Sequence, residues 1–267
     1  MSAEIAFVGA GAMGGAMIRG LLSRGVAQPS EIIVNEVDTV RRDALVRDYA
    51  VRPGVGVPEG LRTARVVILA IKPQTFPTLA PDVRAGLDDG KVLISIMAGV
   101  TLRALTDGLG TTRLVRAMPN MPAQIGRGVT VWTPGRGATP DDLALAERLL
   151  GALGMQVHVD GEKDIDAATA VHASGPAYAF LVAEAWIDAA VAIGLSRPLA
   201  EALVRETLIG SLALWAERGQ SPAALRHAVT SPGGTTAAAL DTFEDYRLRA
   251  AFGAAIRAAH QRARELG

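Results

Sequence analysis

The segment FVGAGAMG, residues 7–14, constrains the fold of this chain more than any other. It places glycines at positions 9, 11 and 14, directly after a short apolar run and at the start of a helical pattern. In that setting the first glycine allows a tight turn, the second lets the backbone approach a pyrophosphate, and the third permits close contact between helix and sheet. A purely structural turn is the alternative interpretation. The segment predicts dinucleotide binding by Gly9, Ala10, Gly11, Ala12, Met13 and Gly14.

Short β-branched runs alternate with amphipathic segments over residues 1–160, and from Asp164 onward no strand pattern follows. Such alternation is typical of a parallel sheet that is covered by helices on both faces. The sequence therefore predicts an α/β Rossmann domain, doubly wound and mostly parallel, at residues 1–162, and an all-helical domain at residues 163–267. The predicted strands are residues 5–8, 31–35, 66–71, 92–96, 114–117, 129–132 and 156–159. The predicted helices of the second domain are residues 164–170, 176–193, 198–217, 222–229 and 235 to the C-terminus, with a break near Asp245.

Composition and charge narrow the class of partner. The 27 basic residues balance the 27 acidic ones, so no net charge favours nucleic acid or an acidic membrane, and a small-molecule partner is expected. The chain has no cysteine and its four histidines are scattered, which argues against a metal site. The first residues do not resemble a secretory signal, and Glu184 and Asp188 interrupt the longest apolar segment, so we expect a cytoplasmic protein.

Glu36 is the residue that informs the choice of cofactor. The second predicted strand ends at Asn35-Glu36, where a ribose-binding residue is expected. A carboxylate at this position accepts hydrogen bonds from ribose hydroxyls and repels a 2′-phosphate, which favours NADH over NADPH. Asn35 with Arg41 and Arg42 could instead hold a phosphate. Both cofactors therefore stay open, with a slight preference for NADH.

Further cofactor contacts are expected where later strands end, because ligands of doubly wound sheets bind beyond the carboxyl ends of the strands. Each of these exits contains a proline or a glycine that turns the chain sharply. The predicted contacts are Ala70, Ile71, Lys72 and Pro73, then Ala98 and Gly99, and finally Asn120.

Six motifs occur in one order along the chain: GAGAMG, AIKP (70–73), AGVT (98–101), MPNMP (118–122), ASGPAYAF (173–180) and LRHAVTSPGGTTAAAL (225–240). In that order they resemble the pyrroline-5-carboxylate reductases over essentially the whole chain, and TSPGGTT is the most specific of them. The resemblance implies hydride transfer from NADPH or NADH to the C=N carbon of 1-pyrroline-5-carboxylate, which gives L-proline. It also implies that the helical domain forms homodimers, which in relatives often assemble into decamers.

The TSPGGTT segment is the expected substrate loop. Gly233, Gly234, Thr235 and Thr236 can offer the amides of a helix N-terminus to a substrate carboxylate without obstruction by side chains. By resemblance, the Thr236 hydroxyl contacts the ring nitrogen and is the predicted catalytic group, while Ser231 and Thr235 line the loop. Glu162 matches a family acid near the substrate nitrogen. Its alternative interpretation is a carboxylate that is stabilised at the start of a helix.

Several residues depart from the family pattern: Met121, His172, His227, and, at positions where some relatives touch the cofactor, Ala228 and Val57. The first three leave open a reductase of a related cyclic imine such as a piperideine carboxylate. A histidine could also donate a proton near neutral pH, although pocket shape is the preferred interpretation.

Two further alternatives belong to other classes. A β-hydroxyacid dehydrogenase shares the two-domain plan but relies on a lysine of its interdomain helix, and the predicted helix 176–193 contains none. A protein that senses the dinucleotide without turnover would not need the TSPGGTT loop.

Overall fold

The computed structural model describes residues 4–266, and within them an eight-stranded sheet forms the centre of the first compact unit. Its strands are β1 (Ile5–Val8), β2 (Ile32–Asn35), β3 (Arg52–Pro53), β4 (Val66–Leu69), β5 (Val92–Ser95), β6 (Leu114–Pro119), β7 (Gly128–Pro134) and β8 (Gly154–His158). They lie in the order β3-β2-β1-β4-β5-β6-β7-β8, and β6–β7 is the antiparallel pair among otherwise parallel neighbours. The seven predicted strands and the mostly parallel, doubly wound sheet are confirmed.

Helices cover both faces of this sheet. They are α1 (Ala12–Ser23), α2 (Thr39–Tyr49), α3 (Val57–Leu61), α4 (Phe76–Ala85), α5 (Leu102–Leu109), α6 (Pro140–Gly151) and α7 (Glu162–Ala168), the last continued by a π-helical turn at Thr169–Ala173. Because side chains alternate along a strand, Ile5 and Phe7 of β1 join the core beneath α1 and α6, whereas Ala6 and Val8 join the core beneath α4 and α5. Because helices cover both faces of the sheet, the strands carry apolar side chains on both sides.

The second compact unit contains helices. They are α8 (Gly175–Ala192), α9 (Arg197–Arg218), α10 (Pro222–Ala228), α11 (Thr235–Asp245) and α12 (Leu248–Leu266), of which the last extends beyond this unit. Gly219 ends α9 with a positive φ of 62°, and the hydroxyl of Ser221 caps α10 by accepting from the Ala224 amide. The predicted helices 176–193, 198–217 and 222–229 correspond to α8, α9 and α10, and the segment from 235 to the C-terminus forms α11 and α12 with the predicted break near Asp245. The predicted helix 164–170 corresponds to α7, which belongs to the first unit.

The two compact units divide at residues 174 and 175. One contains the described residues up to Ser174 and from Ala259 on, and the other is Gly175–Ala258. This division falls after the predicted domain boundary at residue 162, because α7 and its π-helical turn bond to side chains and carbonyls of β6. Within residues 4–266 no helix is long and apolar enough to cross a bilayer.

Candidate cofactor and substrate sites

The glycine loop between β1 and α1 has the geometry that its sequence predicts. Gly9 has a φ of 87°, and a Cβ there would lie 2.8 Å from the Ala70 carbonyl oxygen. A Cβ on Gly14 would lie 2.8 Å from the Gly9 carbonyl oxygen, whereas nothing lies within 4 Å of a Cβ built on Gly11. Gly9 and Gly14 are therefore required by packing. Gly11 leaves the N-terminus of α1 open to a ligand, and no side chain caps that helix.

A cleft of about 730 Å³ opens beside this loop. It lies beyond the carboxyl ends of β1, β2 and β4, at the point where the strand order reverses. Of the predicted cofactor residues, it is lined by Gly9, Gly11, Asn35, Glu36, Ala70, Ile71 and Lys72. Ala10 and Ala12 line a smaller hollow of about 320 Å³ between α1 and α2, and Met13 packs against the core.

The cleft also has a wall that the sequence interpretation missed. Residues Gly54, Val55, Gly56 and Val57 follow the two-residue strand β3 and line the cleft, as do Val37, Thr75, Leu79 and Asp82. The signal that could have found this wall is the GVGV run, since glycines after a strand commonly mark a ligand loop. Val57 is also one of the residues that depart from the family pattern.

Glu36 is a fixed carboxylate at the edge of this cleft. Its Oε2 accepts from the Ala10 amide at 2.8 Å, its Oε1 accepts from the Asp38 amide at 3.0 Å, and Arg41 lies 3.3 Å away. Burial raises the pKa of Glu36, but these two amides and Arg41 together lower it below its ordinary value. The side chain, which is 6% exposed, therefore holds a negative charge against the glycine loop.

The side chains that were predicted as an alternative phosphate site already have contacts within the protein. The Asn35 amide nitrogen donates to the Phe7 carbonyl at 3.2 Å, and its oxygen is buried against Gly54 and Gly60. Arg41 pairs with Glu36 and Asp38, and Arg42 pairs with Asp43. A 2′-phosphate held here would have to compete with these carboxylates for the arginines.

Two later strand exits are held by side-chain contacts. Gly99 takes a φ of 73° in the loop after β5, and Thr101 caps α5 by accepting from the Ala104 amide. The Asn120 amide group is engaged at both ends, since Nδ2 donates to the His172 carbonyl and Oδ1 accepts from the Val129 amide. The Asn120 side chain therefore connects the loop after β6 to β7 and to the π-helical turn after α7.

Glu162 and His172 have structural partners as well. Glu162 Oε1 accepts from Arg116 at 2.7 Å and from the Leu102 amide at 2.8 Å. The two ring nitrogens of His172 each lie 2.7 Å from a carbonyl oxygen, one of Ala168 and one of Met118. Met121 and His227 are exposed.

The TSPGGTT segment forms the predicted loop before a helix. Gly233 has a φ of 70°, the Gly234 amide donates to the Ser231 carbonyl at 3.1 Å, and Gly234 is the N-cap of α11 without a side-chain cap. The structure thus brings Ser231, Gly233, Gly234, Thr235 and Thr236 together at one open helix N-terminus. Glu162 belongs to the other compact unit.

A doubly wound sheet with an open glycine loop and a cleft at its switch point, joined to a helical unit, defines a nicotinamide-dependent oxidoreductase. Comparison with known families matches residues 4–99 to "NADP oxidoreductase coenzyme F420-dependent" and residues 162–266 to "Pyrroline-5-carboxylate reductase dimerisation". The pyrroline-5-carboxylate reductase of Synechocystis is 38% identical over 267 residues, which are 100% of this chain and 99% of that protein. The chain belongs to the pyrroline-5-carboxylate reductase family.

Solved structures agree with this assignment. A pyrroline-5-carboxylate reductase from Coxiella burnetii is similar with a TM-score of 0.93 and 34% identity, over 100% of this chain and 99% of that one. The pyrroline carboxylate reductase of Plasmodium falciparum, solved with NADP bound, has a TM-score of 0.87 and 27% identity, over 99% of this chain and 98% of that one.

Proposed function

We infer that this protein reduces 1-pyrroline-5-carboxylate to L-proline, the last step of proline biosynthesis. The observation that carries the proposal is the open N-terminus of α11 in the TSPGGTT segment, within a chain of this family that also has a dinucleotide cleft. One helix N-terminus serves the cofactor pyrophosphate and the other serves the substrate carboxylate. The two helix N-termini thus bind different ligands. A protein that only sensed a dinucleotide would need only the N-terminus that binds the pyrophosphate.

The glycine loop and the cleft fit the cofactor. Gly9 and Gly14 have no room for a Cβ, and the open surface at Gly11 is where a pyrophosphate would meet the amides of α1. Glu36 would accept from the ribose hydroxyls, while residues 70–73, Ala98, Gly99 and the backbone of Asn120 would border the nicotinamide. When bound, the reduced nicotinamide supplies the hydride.

The substrate side of the reaction needs orientation and a hydrogen-bond partner for the ring nitrogen. Hydride adds to the C=N carbon, the electron pair of the double bond passes to nitrogen, and a proton completes the amine. The amides of residues 233–236 bind the carboxylate, and the Thr236 hydroxyl hydrogen-bonds the ring nitrogen, with Ser231 and Thr235 beside it. Glu162, which the family resemblance associates with the substrate nitrogen, has its carboxylate engaged by Arg116 and the Leu102 amide.

The fixed carboxylate of Glu36 supports NADH as the preferred cofactor. A 2′-phosphate near this ionised and immobile group would meet repulsion, and the nearby arginines are already paired. The relative from Plasmodium falciparum contains NADP, so NADPH is the cofactor to compare.

Assembly through the helical unit is supported by its apolar surface. Within one chain, Phe180, Leu181, Trp186, Leu212 and Trp215 of α8 and α9 are between 45% and 64% exposed. Several large apolar side chains left exposed on two helices favour a protein interface. We propose a homodimer formed by residues 163–267, a decamer as a larger assembly, and a cytoplasmic location.

One assay tests the reaction. Purified protein with NADH or NADPH receives 1-pyrroline-5-carboxylate, absorbance of the reduced cofactor is followed, and proline is identified in the product. Loss of absorbance with stoichiometric proline is expected, faster with NADH. A higher kcat/KM with a piperideine carboxylate would favour the related imine, and binding of cofactor without oxidation by any of these imines would favour the sensor.

A further inference from the structure

Strand β6 is bonded at two-residue intervals to the segment that follows β8. Arg116 donates to Glu162 at 2.7 Å and to Asp166 at 2.9 Å. Two residues on, the Met118 carbonyl lies 2.7 Å from His172 Nε2, and Asn120 then donates to the His172 carbonyl at 3.0 Å. We call this set of contacts the β6–α7 network.

The network also includes α5, because one oxygen of Glu162 accepts two hydrogen bonds. Glu162 Oε1 accepts from Arg116 and also from the amide of Leu102, which is the first residue of α5. That amide is one of the unpaired donors of the helix, and a carboxylate at a helix N-terminus is stabilised by the helix dipole. The Glu162 side chain therefore ties the loop of residues 98–101 to β6.

Burial of Arg116 strengthens the contact between β6 and Glu162. Its side chain is 3% exposed, so removal of Glu162 or Asp166 would leave a buried guanidinium without one of its partners. The loop it helps to hold contains Gly99, whose φ of 73° a glycine adopts without strain. The anchored loops, 98–101 and 119–122, leave adjacent strands at the carboxyl edge of the sheet.

We propose that Arg116 and Glu162 are positioning residues of the reductase. They fix the two loops that, on the proposed function, border the nicotinamide, and Glu162 acts through Arg116 and the Leu102 amide, without touching the substrate. His172 belongs to the same network: its Nδ1 lies 2.7 Å from the Ala168 carbonyl oxygen and its Nε2 lies 2.7 Å from the Met118 carbonyl oxygen, so its ring joins the π-helical turn to the end of β6.

The variants separate positioning from substrate contact. Glu162→Gln keeps an oxygen that can accept from Leu102 and Arg116, whereas Glu162→Ala and Arg116→Met remove one side of the contact. We expect Glu162→Ala and Arg116→Met to lower kcat and weaken cofactor binding by roughly tenfold each, since small misplacements at a reacting centre are costly. The KM for the imine should change little, and Glu162→Gln should largely rescue the activity that Glu162→Ala loses.

A double variant and a local probe complete the design. Because both residues act in one contact, the combined Glu162→Ala/Arg116→Met change should cost about as much as the larger single change. Hydrogen exchange of the amides of residues 98–105 should accelerate in Glu162→Ala. Cofactor affinity and exchange are measured without imine, so they test the network even if the assigned reaction were wrong.

Arg113→Met is the matched control. Arg113 pairs with the fully buried Asp142 at the opposite end of β6, so its loss destabilises the same strand without touching either loop. The proposal is overturned if Glu162→Gln selectively raises the KM for the imine, which would show direct contact. It is also overturned if Arg113→Met reproduces the loss of cofactor affinity and the faster exchange, which would reduce the network to general stability.

Discussion

The Thr236 hydroxyl carries the chemical part of the proposed site. It lies in the first turn of α11, beside the unobstructed amides that follow Gly234. Thr236→Ala should lower kcat by roughly 100-fold, because a positioned group that hydrogen-bonds the reacting nitrogen is lost, while the dissociation constant of NADH stays unchanged. Steady-state kinetics and a direct cofactor titration measure the two effects.

A threonine farther along the same helix provides the comparison. Thr242 donates to the Ala238 carbonyl inside α11, so Thr242→Ala should leave kcat near that of the wild type. An unchanged turnover number in Thr236→Ala would remove this hydroxyl from the mechanism.

At the residue scale, Glu36 is expected to set the preference between NADH and NADPH. Glu36→Ser removes the fixed charge and releases Arg41, so kcat/KM with NADPH relative to NADH should rise by roughly tenfold. The two reductants are compared in parallel under saturating imine. Glu59→Ser removes an exposed carboxylate of α3 and should leave the ratio as it is; a ratio that fails to move in Glu36→Ser would mean that Glu36 does not face the ribose.

Single side chains were harder to predict from sequence than their loops. Glu36 and the TSPGGTT residues could be placed because each follows directly from a local motif. The contacts of Glu162, Asn120 and His172 could not, since most of their partners lie between 9 and 60 positions away along the chain and meet only in the folded unit. A sequence motif specifies a loop well, whereas it says little about a side chain that bonds across the fold.

At the scale of elements, the strand–loop–helix unit of residues 5–23 allows a paired test. Gly14→Ala forces a Cβ to 2.8 Å from the Gly9 carbonyl oxygen, so it should lower the free energy of unfolding by about 1–3 kcal/mol. Gly11→Ala has free space around it and should change stability by less than about 0.5 kcal/mol, while cofactor affinity falls because the pyrophosphate approach is obstructed. Urea unfolding and cofactor titration give both quantities; equal destabilisation by the two variants would contradict the assigned roles.

The ion pair between Arg113 and Asp142 fixes α6 to the start of β6 and predicts a pH dependence. Burial raises the pKa of Asp142, but Arg113 and the Thr139 groups outweigh it and lower that pKa. A folded pKa below the unfolded value of about 3.9 means that the carboxylate stabilises the fold above that pH and loses this contribution as the pH falls through the folded pKa. Asp142→Asn should therefore cost about 3 kcal/mol at pH 7.

The pH series supplies the check. The difference in unfolding free energy between wild type and Asp142→Asn, measured by urea titration, should narrow steadily as the pH is lowered below about 4. If this difference in unfolding free energy stayed constant over the range, the ionised Asp142 carboxylate would not be the source of the stabilisation.

The sequence predicts strands and helices well where the apolar pattern is clear or where capping residues mark the ends of a helix. The buried strands read as continuous apolar runs, and α9 and α10 are bounded by Gly219, Ser221 and Pro222. The strand β3 was missed because Arg52–Pro53 is two exposed residues long and has no apolar pattern. The cleft wall that follows β3 was missed with it.

For the whole molecule, the exposed apolar side chains of α8 and α9 favour the proposed homodimer interface. Leu212→Glu should shift the proposed dimer to monomer and lower the Tm, because a charge would be buried between subunits. Light scattering across a concentration series measures the mass. Val40→Glu changes a residue of α2 that is 80% exposed and should leave the mass unaltered; a dimer that persists in Leu212→Glu would place the interface elsewhere.

The antiparallel step between β6 and β7 has a consequence for how the sheet opens. In the described sheet, each other pair of sequential neighbours is joined through a helix, whereas β6 and β7 are joined by the short turn at Met121–Ile125. Closing a short connection costs less chain entropy than closing a long one. The strand that carries Arg116 thus has less entropy to gain by separating from β7 than strands that are joined through a helix, which favours the persistence of this antiparallel pair during local unfolding.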